Sequence, residues 1–199
     1  MIQEWWGLVD HIKDVCDRLA GEGFVALAPD LYHGKTAREP DEAQKLMMGL
    51  NLERAATDMS GAIDYLKGLS SVRGPGLGVM GFCMGGSLTL MLALRRPDAV
   101  RAAVPFYGVL PEQLGTPDWQ PLQAAILGHY AEHDDFASRP LVQKMVKDLQ
   151  ALGKEIQVYE YPGTRHAFFN DTSPEVYNAR AASLAWQRTL VFLRQHLGS

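Results

Sequence analysis

Cysteine is scarce in this sequence, and long hydrophobic runs are absent. The only two cysteines among the 199 residues, Cys16 and Cys83, are too few for the disulfide framework of a small secreted protein. The longest apolar stretch, 88–94 with Thr89 inside it, is far shorter than the roughly 20 residues that span a bilayer. The first residues include Glu4 and lack the positive charge and hydrophobic run of a secretory signal. We therefore expect a cytoplasmic protein with no membrane partner.

An excess of positive charge is also missing. The 19 Lys and Arg residues face 23 Asp and Glu residues, which gives a formal net charge of −4, and no basic block occurs. Proteins that bind nucleic acid cluster Lys and Arg against the phosphate backbone. The sequence therefore predicts no nucleic-acid partner.

The sequence does have the composition and periodicity of a globular α/β protein. Its length and its 47% of hydrophobic residues predict a single domain over residues 1–199. Short apolar runs alternate with segments of helical periodicity, which is typical of a mainly parallel sheet flanked by helices. The predicted strands cover 24–28, 77–80, 100–107, 124–129 and 156–161. The predicted helices cover 9–19, a segment from about Pro40, 53–69, a buried segment ending at Leu94, 140–152 and 174–197. Three prolines predict a loop over 108–123.

The strongest local motif is the glycine-rich turn Gly81–Gly86 between a predicted strand and a buried helix. It is the G-x-S-x-G nucleophile elbow with Cys83 in place of serine. A sharp turn of this kind requires small residues on both sides of the nucleophile and places it at a helix N-terminus, which favours a thiolate. The backbone N–H of Met84 is then a candidate oxyanion donor. The alternative is that Cys83 is a structural thiol and that the glycines only permit close packing.

A cysteine nucleophile needs a base and an acid that orients the base. The strand 156–161 leads to His166, and the strand 124–129 leads to a loop with acidic residues at 132, 134 and 135. Both loops follow the carboxyl ends of strands, where an α/β fold places its site. His129 and His133 could suggest a metal, but no second set of ligands has the required spacing, so no metal is predicted. His11 and His196 are predicted on helix surfaces, and His33 lies in a loop.

Several motifs occur together in an order that resembles the dienelactone hydrolases, which are cysteine hydrolases of the α/β-hydrolase superfamily. The motifs are Gln3–Leu8, Ala28–Tyr32, Gly81–Gly86, Asp134–Phe136 and Tyr161–Phe168, and the likeness continues through Ala185–Thr189. The resemblance implies an α/β-hydrolase fold with shortened N-terminal strands. It also implies Cys83 as nucleophile, His166 as base and Asp134 as acid, with Asp135 as the other candidate.

The resemblance assigns roles to the N-terminal residues as well. Glu4 corresponds to a glutamate that contacts the resting thiol and controls its ionisation, which is physically reasonable because a carboxylate beside a thiol disfavours the thiolate. The alternative is a surface carboxylate. The N–H of Trp5 is implied as the second oxyanion donor, and Trp6 either lines the pocket or belongs to the core.

Two departures from the family pattern bear on substrate and assembly. Asn170 stands where the family has an arginine that holds a substrate carboxylate, and Arg38 and Arg165 are the candidate substitutes. The segment 2–4 is the tail of a strand with almost no sheet residues before it, so the chain is either naturally short or lacks an N-terminal piece. The open sheet edge could be covered by self-association, and the expected state is a monomer or a homodimer.

These observations predict a cofactor-free hydrolase of a small carboxylic ester or lactone that acts through Cys83, His166 and Asp134. One alternative is a non-catalytic redox-sensing or ligand-binding module, because an exposed reactive cysteine also suits a peroxide sensor. Cys16, predicted on the core face of a helix, is poorly placed to resolve a disulfide. A third alternative is a hydrolase of another ester, such as a phosphoester.

Overall fold

A computed structural model describes residues 1–111 and 115–198. The helices are α1 Asp10–Gly21, α2 Pro40–Met48, α3 Leu52–Gly68, α4 Met84–Arg95, α5 Arg139–Ala151 and α6 Ala179–Leu197. The strands are β1 Leu77–Phe82, β2 Val100–Phe106, β3 Ala125–His133 and β4 Ile156–Arg165. The four strands form one parallel sheet in the order β1-β2-β3-β4. This is the α/β architecture that the alternating pattern predicts.

Strands β3 and β4 extend further than the hydrophobic runs indicate. β3 ends at His133 and β4 at Arg165, whereas the predicted strands end at 129 and 161. The last residues of both strands include exposed side chains, so hydrophobicity alone does not reveal them. Their ladder hydrogen bonds carry each strand to the residue before Asp134 or His166.

The predicted strand at 24–28 is wrong, because these residues form no strand ladder. The segment is mostly half-buried, which explains its apolar composition, and the amino group of Met1 donates to the Leu27 carbonyl oxygen at 2.9 Å. A strand requires a hydrogen-bonding partner along its length. Ile2 pairs instead with β1. Its N–H donates to the carbonyl oxygen of Met80 at 2.8 Å, and it forms a parallel bridge with Gly81.

Helix α4 packs on the sheet with an almost wholly apolar surface. Leu88, Leu90 and Leu92 are buried, as expected for a helix without a polar face. Helix α6 starts at Ala179 rather than at 174, because the side chain of Asn178 accepts a hydrogen bond from the N–H of Ala181 and caps the helix there. The predicted loop over 108–123 has no helix in its described residues, and 112–114 lie outside them.

His11 is buried, so its predicted surface position is wrong. It shares one face of α1 with the buried Ile12 and Val15, and its ring lies against Phe82 and Phe169 with centroids 5.6 and 6.3 Å away. A histidine can occupy a core face when aromatic rings surround it, and the helical periodicity alone does not reveal this. His196 is half-buried rather than on the surface.

A cavity of about 330 Å³ lies between the 23–27 segment, one end of β1 and the end of α6. None of the predicted site residues lines it. No helix in the described parts of the chain is both long enough and apolar enough to cross a membrane.

Candidate active site

Cys83 occupies a strained turn directly after β1. Its φ and ψ are 55° and −119°, a backbone conformation that residues other than glycine rarely adopt. Cys83 is also the N-cap of α4. A Cβ at Gly81 would lie 2.4 Å from the carbonyl oxygen of Gly85. The glycine is therefore required by backbone contact within the turn, as the motif predicts. Cys83 itself is half-buried.

The first turn of α4 lies directly against the N-terminal segment. A Cβ at Gly85 would lie 2.4 Å from the carbonyl oxygen of Gln3 and 2.6 Å from that of Ile2. This backbone-to-backbone contact brings the segment that contains Glu4 and Trp5 next to the turn that holds Cys83.

The residues that directly follow the four strands lie at the same end of the sheet. Cys83 follows β1, Tyr107 follows β2, Asp134 follows β3 and His166 follows β4. In a parallel sheet these positions share one edge. Three of the four are the residues predicted for chemistry. Tyr107 is the residue that sequence reasoning missed, because the predicted strand 100–107 includes it, whereas β2 ends at Phe106.

Asp134 is the acidic residue that contacts His166. Its Oδ2 lies 2.7 Å from His166 Nδ1, and its Oδ1 accepts the backbone N–H groups of Phe136 and Ala137 at 2.9 and 3.0 Å. Burial alone would raise the pKa of Asp134, but these hydrogen bonds to the ionised form lower it. Asp135 is exposed. The fixed orientation of the carboxylate in turn fixes the imidazole ring.

His166 lies between Asp134 and Cys83. Burial by itself would lower its pKa, but its interactions with Asp134 and Cys83 raise the pKa to about 10. Two aromatic rings flank the imidazole, with centroids 4.9 Å away for Tyr107 and 5.3 Å for Phe136. Its Nε2 is buried without a hydrogen-bond partner among the described residues. A substrate or thiol group that forms a hydrogen bond with Nε2 would therefore satisfy this buried nitrogen.

Glu4 is buried beside this group rather than on the surface. Only 2% of its surface is exposed, and burial raises its pKa to about 7, although the nearby His166 acts in the opposite direction. Asn170 Nδ2 donates to Glu4 Oε2 over a long 3.5 Å. Glu4 Oε1 has no partner in the described residues. Because a buried carboxylate without strong donors is costly, Glu4 gains a proton more readily than an ordinary glutamate.

Asn170 is oriented by its own neighbour. Its Oδ1 accepts the N–H and hydroxyl of Thr172 at 3.0 and 2.6 Å, which directs its amide nitrogen towards Glu4.

Tyr107, also buried, has φ of 40° and a hydroxyl without a partner in the described residues. Burial raises its pKa well above the ordinary value, and the nearby Glu4 and Cys83 add to this shift.

The remaining predicted residues differ in burial and contacts. Trp5 and Trp6 are half-buried and meet edge to face with centroids 4.9 Å apart. The sulfur of Met84 accepts the hydroxyl of Tyr32 at 3.5 Å. Arg38 and Arg165 are exposed. No hydrogen bond or ion pair in residues 1–111 and 115–198 joins either guanidinium to the site.

Histidines near these loops have other surroundings. His129 is fully buried within β3 and bonded to Tyr161 and Thr189, and His133 is exposed beside Glu132. The described residues contain no group of three or more His, Cys, Asp or Glu side chains arranged to hold a metal ion.

A strained turn between a parallel strand and a buried helix, with a histidine and a carboxylate after later strands, defines a hydrolase of the α/β-hydrolase fold. A solved dienelactone hydrolase-like promiscuous phosphotriesterase from metagenomic libraries superposes with a TM-score of 0.86 at 25% identity, covering 99% of this chain and 85% of that one. The sequence model described as "Dienelactone hydrolase family" matches residues 1–197. The chain belongs to this family of hydrolases.

Individual relatives agree with this assignment. "Protein usf" of Aquifex pyrophilus is 38% identical over 203 residues, covering 99% of this chain and 87% of its own. A "Putative carboxymethylenebutenolidase" of Aquifex aeolicus is 34% identical with the same coverage. The crystal structure of a "Putative Dienelactone Hydrolase" from Klebsiella pneumoniae has a TM-score of 0.85 at 30% identity, with 98% of this chain and 85% of that chain covered.

Proposed function

We propose that this hydrolase cleaves small carboxylic esters or lactones through a thioester formed on Cys83. The observation that supports this most directly is the 2.7 Å contact between His166 and Asp134 beside the strained turn at Cys83. This contact orients an imidazole whose other nitrogen is free to serve the thiol. No cofactor takes part in the proposed reaction.

In the proposed first half-reaction, the proton of the Cys83 thiol is held on Nε2 of His166, in keeping with the raised pKa of His166, and the sulfur attacks the carbonyl carbon. The N–H groups of Met84 and Trp5 donate to the oxyanion, each contributing on the order of 10²–10³ in rate. The tetrahedral intermediate collapses, the bond to the leaving oxygen breaks, and His166 protonates that oxygen. A thioester remains on Cys83.

In the second half-reaction, His166 takes a proton from water, and the resulting hydroxide attacks the thioester carbonyl. The carbon–sulfur bond then breaks, Cys83 recovers its proton from His166, and the acid leaves. Asp134 stays ionised throughout and stabilises the imidazolium, in keeping with its lowered pKa.

Glu4 has a proposed regulatory part in this scheme. It is buried next to His166, and in its ionised form it would disfavour a thiolate on Cys83 by charge repulsion. In its protonated form this repulsion disappears.

The substrate's acyl group is proposed to be uncharged. The partner that the described residues provide for Glu4 is the neutral amide of Asn170, and Arg38 and Arg165 are exposed and unconnected to the site. A substrate carboxylate would therefore meet a buried acidic group with neither Arg38 nor Arg165 to pair with it, which is unfavourable.

The mechanism is tested by rapid acid quenching during turnover of p-nitrophenyl acetate, followed by mass spectrometry of the peptide that contains Cys83. We expect a transient acetyl adduct on Cys83. Stable oxidation of Cys83 by peroxide, with no turnover of any ester, would favour the redox-sensing alternative, for which Cys16 is a poor partner because burial raises its pKa.

The substrate class is tested with neutral esters of graded acyl length, acidic lactones and a neutral phosphotriester. We expect the neutral esters to give the highest kcat/KM, and a strong preference for acidic lactones would contradict an uncharged acyl site. The phosphotriester is included because one structural neighbour is named a promiscuous phosphotriesterase. A phosphotriester preference would replace the carboxylic ester in the proposal.

The buried Glu4 predicts a specific pH dependence of stability. Its pKa is raised from the ordinary 4.5 to about 7, so the folded state holds this proton more tightly than the unfolded state. The contribution of Glu4 to stability is therefore full below the unfolded pKa and is lost as the pH rises towards about 7. We expect Glu4→Gln to be more stable than the wild type at about pH 8 and similar to it near pH 4, as measured by urea unfolding.

Glu175→Gln is the matched control, because it replaces an exposed carboxylate. Exposed charges remain solvated in the folded state, so its effect on stability should be small at both pH values. A constant difference between Glu4→Gln and the wild type across the pH range would contradict a raised pKa at Glu4.

A further inference from the structure

A polar cluster lies in the core behind the candidate active site. His129 in β3 is fully buried, and both of its ring nitrogens have partners. Nδ1 lies 2.9 Å from the hydroxyl of Tyr161 in β4, and Nε2 lies 3.0 Å from the hydroxyl of Thr189 in α6. We call His129, Tyr161, Thr189 and Arg188 the core network. It joins two adjacent strands to the final helix.

The directions of these hydrogen bonds follow from Arg188. Its guanidinium can only donate, and Nη1 lies 3.2 Å from the Tyr161 hydroxyl oxygen. Tyr161 accepts this bond and can donate its own proton to Nδ1 of His129. Nε2 then carries the ring proton and donates it to Thr189. A neutral ring is consistent with the pKa of His129, which burial and the nearby Arg188 lower to about 3.

Arg188 is itself held in place by the sheet. Its guanidinium carbon lies 3.6 Å from the centroid of the Tyr159 ring, a stacking contact of the kind that favours arginine. Tyr159 pairs with His129 across the β3–β4 ladder. Both contacts of the cation, with the Tyr159 ring and the Tyr161 hydroxyl, are to β4, so Arg188 joins this strand to α6.

The core network lies just before the residues proposed for catalysis. β3 continues from His129 to Asp134, and β4 continues from Tyr161 to His166. Between the two, the β3–β4 register shifts between Ala131 and His133. Pairing resumes at His133 and Arg165, so β4 has two more residues than β3 in this bulge. Tyr161 of the core network belongs to the last regular pair before the bulge.

His129 also contacts Tyr107, one of the residues that flank His166. Its carbonyl oxygen accepts the N–H of Tyr107 at 2.7 Å, and the Tyr107 ring lies 4.9 Å from that of His166. On the β4 side, the Tyr161 ring lies 4.9 Å from that of Phe168, which follows His166 in the same loop. His129 thus contacts one ring that flanks the imidazole directly, and it contacts the loop of His166 through Tyr161.

We propose that the core network is a positioning device, in which the bond between His129 and Tyr161 sets the separation of Asp134 and His166 across the shifted register. The inference rests on the proposed function. None of the network residues needs to touch substrate, so their effect is on the geometry of the acid and base alone.

Tyr161→Phe is the primary test, since it removes only the hydroxyl that bridges Arg188 and His129. We expect kcat for p-nitrophenyl acetate to fall roughly tenfold or more, because small displacements of catalytic groups are costly, and KM to stay within about twofold of the wild type. Thr189→Val removes the partner at the other nitrogen of His129 and should cause a smaller loss of the same kind.

Two further readouts separate positioning from simple stability. NMR titration of the His166 ring should show that His166 in Tyr161→Phe titrates at lower pH than in the wild type, because a loosened Asp134 stabilises the imidazolium less. Asn51→Ala is the control: it removes the N-cap of α3, whose side chain accepts from Arg54 at 2.9 Å, and lowers stability away from this sheet edge. It should leave kcat and the His166 titration unchanged.

The positioning role is overturned if Tyr161→Phe and Asn51→Ala lower the melting temperature similarly and both keep wild-type kcat and His166 titration. The NMR measurement needs no turnover. A wild-type protein that hydrolyses no ester would therefore contradict the proposed function, while the titration of His166 in Tyr161→Phe would still decide the role of the core network.

Discussion

Cys83→Ala is expected to abolish ester hydrolysis while leaving the fold intact. The side chain is half-buried at the end of β1, and alanine removes the sulfur without adding volume to the turn. Loss of a catalytic nucleophile costs on the order of 10⁴ or more in kcat, so turnover of p-nitrophenyl acetate should fall to the background rate. Steady-state kinetics measure the loss, and far-UV circular dichroism with thermal unfolding checks the fold.

Cys83→Ser is the informative companion. It keeps the geometry of the turn but should lose rate, because a hydroxyl needs a stronger base than a thiol. Cys16→Ala is the control for removing a thiol, since Cys16 lies in α1 away from the turn. Wild-type activity in Cys83→Ala would end the proposed mechanism and direct attention to another nucleophile.

Gly85→Ala is expected to damage the fold strongly near the site. The added Cβ would approach two backbone oxygens, those of Gln3 and Ile2, at 2.4 and 2.6 Å. Neither can rotate away as a side chain would, so α4 or the N-terminal segment must move. We expect a loss of about 3 kcal/mol or more in the free energy of unfolding, measured by urea denaturation. Activity should fall as well, because Glu4 and Trp5 follow the displaced residues.

Gly61→Ala is the matched comparison in another helix. Gly61 is an exposed position inside α3, and apart from the neighbouring backbone of its own helix no atom lies within 4 Å of the added Cβ. Alanine there should stabilise the protein by about 0.5–1 kcal/mol, because it is the better helix former. Equal effects of the two substitutions would show that helix propensity, and not the backbone contact at Gly85, determines the outcome.

The sequence predicted those parts of the fold in which local pattern and tertiary structure agree. β1, α4 and the turn between them follow from an apolar strand, small residues at fixed spacing and a helix without a polar face. The approximate positions of β2, β3, β4, α3 and α5 follow from hydrophobic periodicity. The family resemblance rests on several motifs in a fixed order, and the family match over residues 1–197 confirms it.

What the sequence could not predict depends on partners distant in the chain. The apolar pattern at 24–28 cannot indicate whether a neighbouring strand pairs with it. The burial of His11 depends on rings at 82 and 169. The acidic cluster 132–135 left the partner of His166 open on spacing alone, and only the fold brings the Asp134 carboxylate to 2.7 Å. The buried surroundings of Glu4 likewise arise from packing.

Cys83, Asp134 and His166 each follow a different strand and begin the segment that leads to α4, α5 or α6. Insertions or exchanges farther along those connections can therefore alter what the enzyme admits without disturbing the atoms that react. Evolution of new selectivity in such a scaffold is free to proceed loop by loop. The reacting side chains keep their positions at the ends of the strands, whereas substrate selectivity depends on the segments between the strands and helices.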